Sequence, residues 1–146
     1  MVLLYCFGHW GALHYMLGDQ IAEETGKVTS FRVLDAAGPK VEVSIRTQGK
    51  ILGVDYIGRA TYCSEVQPTG FLYGEGQGAY ITPDGMAVWK GQGTGKINPG
   101  GGASYRGALH FLNATGKLAK LAGTVGVFEY STDANDNTTA KLWEWK

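Results

Sequence analysis

Cysteine, proline and charge of one sign are all scarce in this chain of 146 residues, and each scarcity excludes a class of protein. The two cysteines, Cys6 and Cys63, lie far apart and form no CxxC pair. A disulfide framework or a thiolate metal site needs more cysteines at closer spacing, so the pair suits a reducing compartment, and a cytoplasmic location is expected. Thirteen Lys and Arg balance thirteen Asp and Glu. No basic stripe is left to neutralise phosphates, so nucleic acid is not an expected partner. His9, His14 and His110 are too scattered for a metal site, and there is no P-loop, HExxH or GxSxG motif. GxGxxG is matched only loosely, from Gly91, and no helix follows to receive a phosphate. Neither a metal nor a cofactor is expected.

Long apolar runs are also scarce. Residues 2–17 form the one candidate, and Gly8, His9, Gly11 and His14 interrupt it. A membrane span needs roughly 20 apolar residues, and a signal peptide needs a basic start and a small-residue cleavage site. Three readings stay open: an extension upstream of Met16, a short helix packed on the domain, or a targeting segment. Residues 1–16 are set aside as an extension, a single domain is expected over residues 17–146, and no membrane partner is expected.

What the chain has in quantity is glycine, 23 residues against four prolines, mixed with aromatics rather than gathered in a tail. From Gly26 onward, short alternating stretches separated by turn signals predict strands over residues 27–34, 41–46, 54–63, 71–82, 86–97, 103–112, 123–132 and 138–145. Gln48-Gly49-Lys50 reads as a corner. In residues 115–122, Leu118 and Leu121 stand three apart, as on a single helical turn that plugs one end. Eight strands is about the number at which a barrel closes around a filled core or one small ligand. The expected fold is therefore all-β, an eight-stranded antiparallel barrel with one short helical turn.

Pro83-Asp84-Gly85 allows a register to be worked out. With Asp84-Gly85 as a two-residue turn, Gly74 faces Gly95, Gly76 faces Gly93, Gly78 faces Gly91 and Tyr80 faces Trp89. Pairing Ile97 with Ala103 adds Tyr105, Gly107, Leu109 and Phe111 to the same face. The opposite face carries Glu75, Gln77, Gln92, Thr94, Arg106 and His110. Since side chains alternate strictly along a strand, the glycine and aromatic face is expected inside. Glycine weakens a strand, so a run of it needs a reason. Either large rings from facing strands take the vacated space, or a ligand does.

On the second reading, Tyr80, Trp89, Tyr62, Tyr56, Tyr105 and Phe111 line a ligand cavity. Arg32 shares parity with Val28, Ser30 and Leu34, which would turn it inward to anchor a ligand carboxylate. The competing face of Thr29, Phe31 and Val33 is as apolar, so both orientations stay open. The same ambiguity holds for Glu129, set between Phe128 and Tyr130. Glu75, Thr94 and Arg106 are expected in one exposed row, and His110 on the surface. No catalytic residue emerges.

Gln77-Gly78-Ala79-Tyr80-Ile81-Thr82, then Gly91-Gln92-Gly93-Thr94-Gly95-Lys96-Ile97 and residues 103–107, resemble the allene oxide cyclase and dirigent barrels. Ala60-Thr61-Tyr62 resembles the preceding cyclase strand. The Thr-Gly-x-Leu-x-x-Leu-x-Gly segment at residues 115–123 resembles the plug of small uncharacterised bacterial barrels of the same calycin-like superfamily. The resemblance implies an eight-stranded barrel, often a homo-oligomer such as a trimer, with an apolar cavity for an oxylipin- or phenol-like molecule. It also implies that Tyr80 lines that cavity. Where the cyclases carry a catalytic glutamate and asparagine, the alignment puts Ser30 and Arg32. The expected function is binding of a small apolar ligand, with isomerase or cyclase chemistry by conformational confinement. The alternative is a structural, oligomer-forming barrel with a fully packed core.

Overall fold

The computed structural model describes residues 17–146; the N-terminal readings, Cys6, His9 and His14 lie outside the described residues. Eight antiparallel strands run in sequence order and close on themselves: β1 (Leu17–Asp35), β2 (Lys40–Ile51), β3 (Val54–Val66), β4 (Leu72–Thr82), β5 (Gly85–Ile97), β6 (Ala103–Ala114), β7 (Val125–Thr132) and β8 (Asn137–Trp145). Closure comes from the pairing of β1 with β8, where Glu24 faces Ala140 and Gly26 faces Thr138. A barrel has no free edges, so every strand finds partners on both sides.

The predicted plug is a 3-10 turn over Gly116–Leu121. Leu118 and Leu121 are fully buried and join Ile51, Leu109, Phe111 and Leu142 in the core that fills this end of the barrel. Asp84 ties the plug to the β4–β5 turn, accepting the Lys117 N–H at 3.0 Å through Oδ2 and the Thr82 hydroxyl at 3.0 Å through Oδ1.

The β4–β5 register differs from the expected one by two residues. Thr82 pairs with Gly85, so Gly78 faces Trp89, Gly76 faces Gly91 and Gly74 faces Gly93. Pro83-Asp84, not Asp84-Gly85, is the two-residue loop. Proline suits the second position of a common turn and glycine the fourth, and Gly85 is not in the left-handed region. An even shift preserves the faces, so all six ladder glycines still share one side. The β5–β6 register is the expected one, with Ile97 opposite Ala103, Gly95 opposite Tyr105 and Gly93 opposite Gly107.

Two further expectations are corrected. Gln48-Gly49-Lys50 is no corner: β2 runs on to Ile51 and turns at Leu52-Gly53, both with positive φ, as a tight hairpin turn requires. The first strand begins at Leu17, ten residues before the predicted start. Among the described residues no helix is long and apolar enough to cross a membrane.

Candidate functional site

The glycine ladder faces inward and has two consequences. Where a ring lies against a glycine, the missing side chain is a packing necessity. A Cβ on Gly78 would come within 2.6 Å of the Trp89 ring, one on Gly95 within 2.6 Å of Tyr105, and one on Gly76 within 2.8 Å of the Tyr62 Cβ. At Gly91 and Gly93 the obstacle is β6 backbone, with a Cβ 2.7 Å from the Ala108 carbonyl oxygen and 2.6 Å from that of Arg106; only Gly74 has room, its nearest atoms at 3.5 Å. Gly74, Gly76, Gly91 and Gly93 border a cavity of about 90 Å³ together with Tyr56, Tyr62, Tyr80, Trp89 and Tyr105. Such a volume is on the order of three water molecules, or one small organic group.

Five of the seven residues singled out from the sequence thus surround one cavity. Phe111 does not border it: at 1 % exposure it sits in the core below, its ring 6.1 Å from that of Tyr80. Arg32 is outside the barrel, in an exposed ion pair with Glu42 at 3.1 Å. The cause is a β-bulge at Thr29, which interrupts the register between Val28 and Ser30. The extra residue flips the alternation, so Val28 pairs with Ile45, while Phe31 and Val33 share the side of Val43 and Val41 but stay largely exposed, and Ser30 and Arg32 take the opposite side. The Thr29 hydroxyl donates to the Ser44 carbonyl at 3.2 Å and helps hold the bulge. Neither position aligned with the cyclase catalytic pair therefore faces the cavity.

Arg106 pairs across the outer surface with Glu129, at 3.7 Å, and Glu75 faces Gln92 rather than Thr94. Glu75 accepts the Tyr73 hydroxyl at 2.7 Å, and His110 is exposed. The ambiguity at Glu129 resolves outward, with Phe128 and Tyr130 bordering the cavity.

The polar group that does face the cavity is Glu24, which lay before the predicted first strand. Ala22, Glu24, Gly26 and Val28 fall on one face at period two, the signal by which the sequence could have disclosed it. Gly49 stands opposite Glu24 on β2. Glu24 Oε2 accepts the Thr47 hydroxyl at 2.9 Å and the Tyr56 hydroxyl at 2.5 Å. Gly58 makes this possible, because a Cβ there would collide with Thr47 Oγ1. Both bonds end on Oε2, and no described residue donates to Oε1. Burial raises the Glu24 pKa above the ordinary 4.5, outweighing the two hydrogen bonds that act to lower it.

Around the carboxyl the rings meet nearly at right angles. Tyr56 and Tyr80 lie 4.6 Å apart at 68°, and Tyr62 and Tyr130 lie 5.6 Å apart at 79°. Tyr62 also packs on Tyr105, whose hydroxyl shares a 2.7 Å hydrogen bond with Ser64. Burial pushes the Tyr62 pKa up to about 12, and it raises those of Tyr56, Tyr80 and Tyr130 further still, with the nearby Glu24 adding to all three. These phenols stay protonated and can donate or accept hydrogen bonds. No group of three or more His, Cys, Asp or Glu side chains able to hold a metal ion occurs among the described residues.

No family model and no curated protein matches the chain. Among solved structures it is similar to a protein of unknown function from Clostridium acetobutylicum ATCC 824. The TM-score is 0.75 at 11 % identity, over 89 % of this chain and 97 % of that one. At that identity the likeness concerns the fold alone.

Proposed function

We propose that the barrel binds one small, largely apolar molecule in the cavity bounded by Tyr56, Tyr80 and Trp89. The observation that carries this reading is Glu24, a part-buried carboxyl at the cavity wall whose Oε1 has no hydrogen-bond partner among the described residues. Oε1 is not a fully buried atom, so it stays within reach of a polar group that enters the cavity. A ligand would supply the missing partner, and apolar walls with one or two polar anchors are the usual make-up of a ligand site. The relation to the allene oxide cyclase-like superfamily is part of the same proposal. An isomerisation steered by confinement would use this enclosure, with the rings fixing a conformation and excluding water.

The test is native mass spectrometry of protein purified from its source, followed by a thermal-shift screen of metabolite and lipid extracts. A bound mass is expected. A ligand at about 100 times its Kd should stabilise the fold by roughly 2.7 kcal/mol. An empty barrel that no extract stabilises refutes the reading.

One observation favours assembly as a second role. Phe31 and Val33 stand two apart on β1, so they share a face, and are 63 % and 57 % exposed. Sedimentation velocity would detect the homo-oligomer, such as a trimer, that covers it; a monomer at all concentrations refutes this second role.

A further inference from the structure

Resting on the ligand-binding reading above, we infer that the occupant carries a positive charge: a small organic ammonium ion, its alkyl surface against the tyrosine and tryptophan rings and its charge beside the free oxygen of Glu24.

The charge inventory of the cavity runs one way. Element by element, the groups that bond to Glu24 or share its cavity are the Thr47 hydroxyl from β2, the phenols of Tyr56 and Tyr62 from β3, Tyr80 from β4, Tyr105 from β6 and Tyr130 from β7, and the Trp89 ring from β5. β8 presents Ala140 there. Lys141 and Glu75 also border the cavity, but both stand at exposed, outward-facing positions. Arg32, the cation expected inside, is outside. Among the described residues the interior therefore holds one carboxyl and no guanidinium or ammonium to match it.

The walls favour the same charge. Aromatic faces are the negative part of the ring quadrupole and attract a cation within about 6 Å, most strongly when water is excluded. Tyr56–Tyr80 and Tyr62–Tyr130 meet nearly at right angles, so the rings that line the cavity are not all parallel and present surface in more than one direction. An anion would meet the carboxyl and the ring faces together. A cavity of about 90 Å³ accepts a group of only a few heavy atoms, which suits an alkylammonium head.

The proton balance follows. Burial raises the Glu24 pKa and a cation beside it would lower it again, so binding of an ammonium ion below the raised pKa is accompanied by proton release to solvent. Its affinity should rise with pH through the raised range of Glu24. A neutral ligand accepting a hydrogen bond from the protonated acid would show the opposite trend.

The experiment compares two isosteres, tert-butylammonium and tert-butanol, titrated into the full chain and followed by two-dimensional NMR at pH 5 and pH 8. The expected result is cavity shifts at Tyr80 and Trp89 with tert-butylammonium bound at least tenfold more tightly at pH 8, the advantage falling at pH 5. In Glu24→Gln the advantage of tert-butylammonium over tert-butanol should vanish. If that variant does not fold, the wild-type comparison at the two pH values decides alone. Cavity shifts with tert-butanol bound as tightly or more tightly overturn the charge inference and leave the ligand-binding reading standing. Absence of cavity shifts with either compound at tens of millimolar overturns both.

Discussion

Gly74 of the ladder and Gly107 of β6 lie on the same inward face, yet the structure gives them opposite responses to a methyl group. At Gly107 a Cβ would run into the Gln92 carbonyl oxygen and lie 2.6 Å from the Gly93 Cα. Both obstacles are backbone of the paired strand, so they yield only if β5 and β6 move apart. Overpacking of this kind costs about 1–3 kcal/mol. At Gly74 the nearest atoms are the Cys63 carbonyl oxygen and the Tyr105 ring, each at 3.5 Å, ordinary van der Waals distance. Alanine there should be neutral or should stabilise by up to about 0.5–1 kcal/mol, the usual penalty of glycine in a strand. Urea denaturation of Gly107→Ala, Gly74→Ala and the parent separates the two. With a slope of about 1–3 kcal/mol per molar urea, the Gly107 variant should lose on the order of 1 M in midpoint, while the Gly74 variant holds or gains. Equal midpoints for the two variants, or a loss of more than about 1 kcal/mol at Gly74, would refute the division of that face into crowded and open glycines.

Three other perturbations test separate features. Because burial holds the Glu24 pKa above 4.5, the folded chain keeps a proton that the unfolded chain has lost. The stability difference this creates is absent below that value, and stability falls as pH rises through the raised one. Glu24→Gln should thus gain on the wild type from pH 4.5 upward, by at most about 1.4 kcal/mol per pH unit, and parallel stability curves would exclude the buried acid. Thr138 Oγ1 is buried with no hydrogen-bond partner among the described residues, so Thr138→Val should raise stability by about 1 kcal/mol in thermal melts; a loss would indicate a partner for that hydroxyl. Arg32→Ala removes only an exposed ion pair with Glu42 and should change stability by less than about 1 kcal/mol without altering ligand-induced NMR shifts; altered shifts would contradict an outward Arg32.

The strand count, the plug and the inward glycine face were all legible in the sequence, because they depend on local rules. Period-two alternation assigns faces, turn residues separate strands, and Leu118 and Leu121 at helical spacing mark a buried turn. Even the two-residue register error in the β4–β5 hairpin left the faces intact, since an even slip preserves parity.

Position within the site was a tertiary matter. The Thr29 bulge is invisible in β1 alone and becomes necessary only when β1 pairs with the unbroken Val41, Val43 and Ile45 pattern of β2; it put Arg32 outside. Glu24 became the interior acid because barrel closure set β1 between β2 and β8, bringing Thr47 and Tyr56 to its Oε2 and no donor to its Oε1. The sequence by itself determined that six glycines of β4 and β5 would face a barrel interior. Which of them are crowded was decided by the strands paired beside them, Trp89 of β5 closing on Gly78, Tyr62 of β3 on Gly76 and Tyr105 of β6 on Gly95, and only the register of the closed barrel sets those distances.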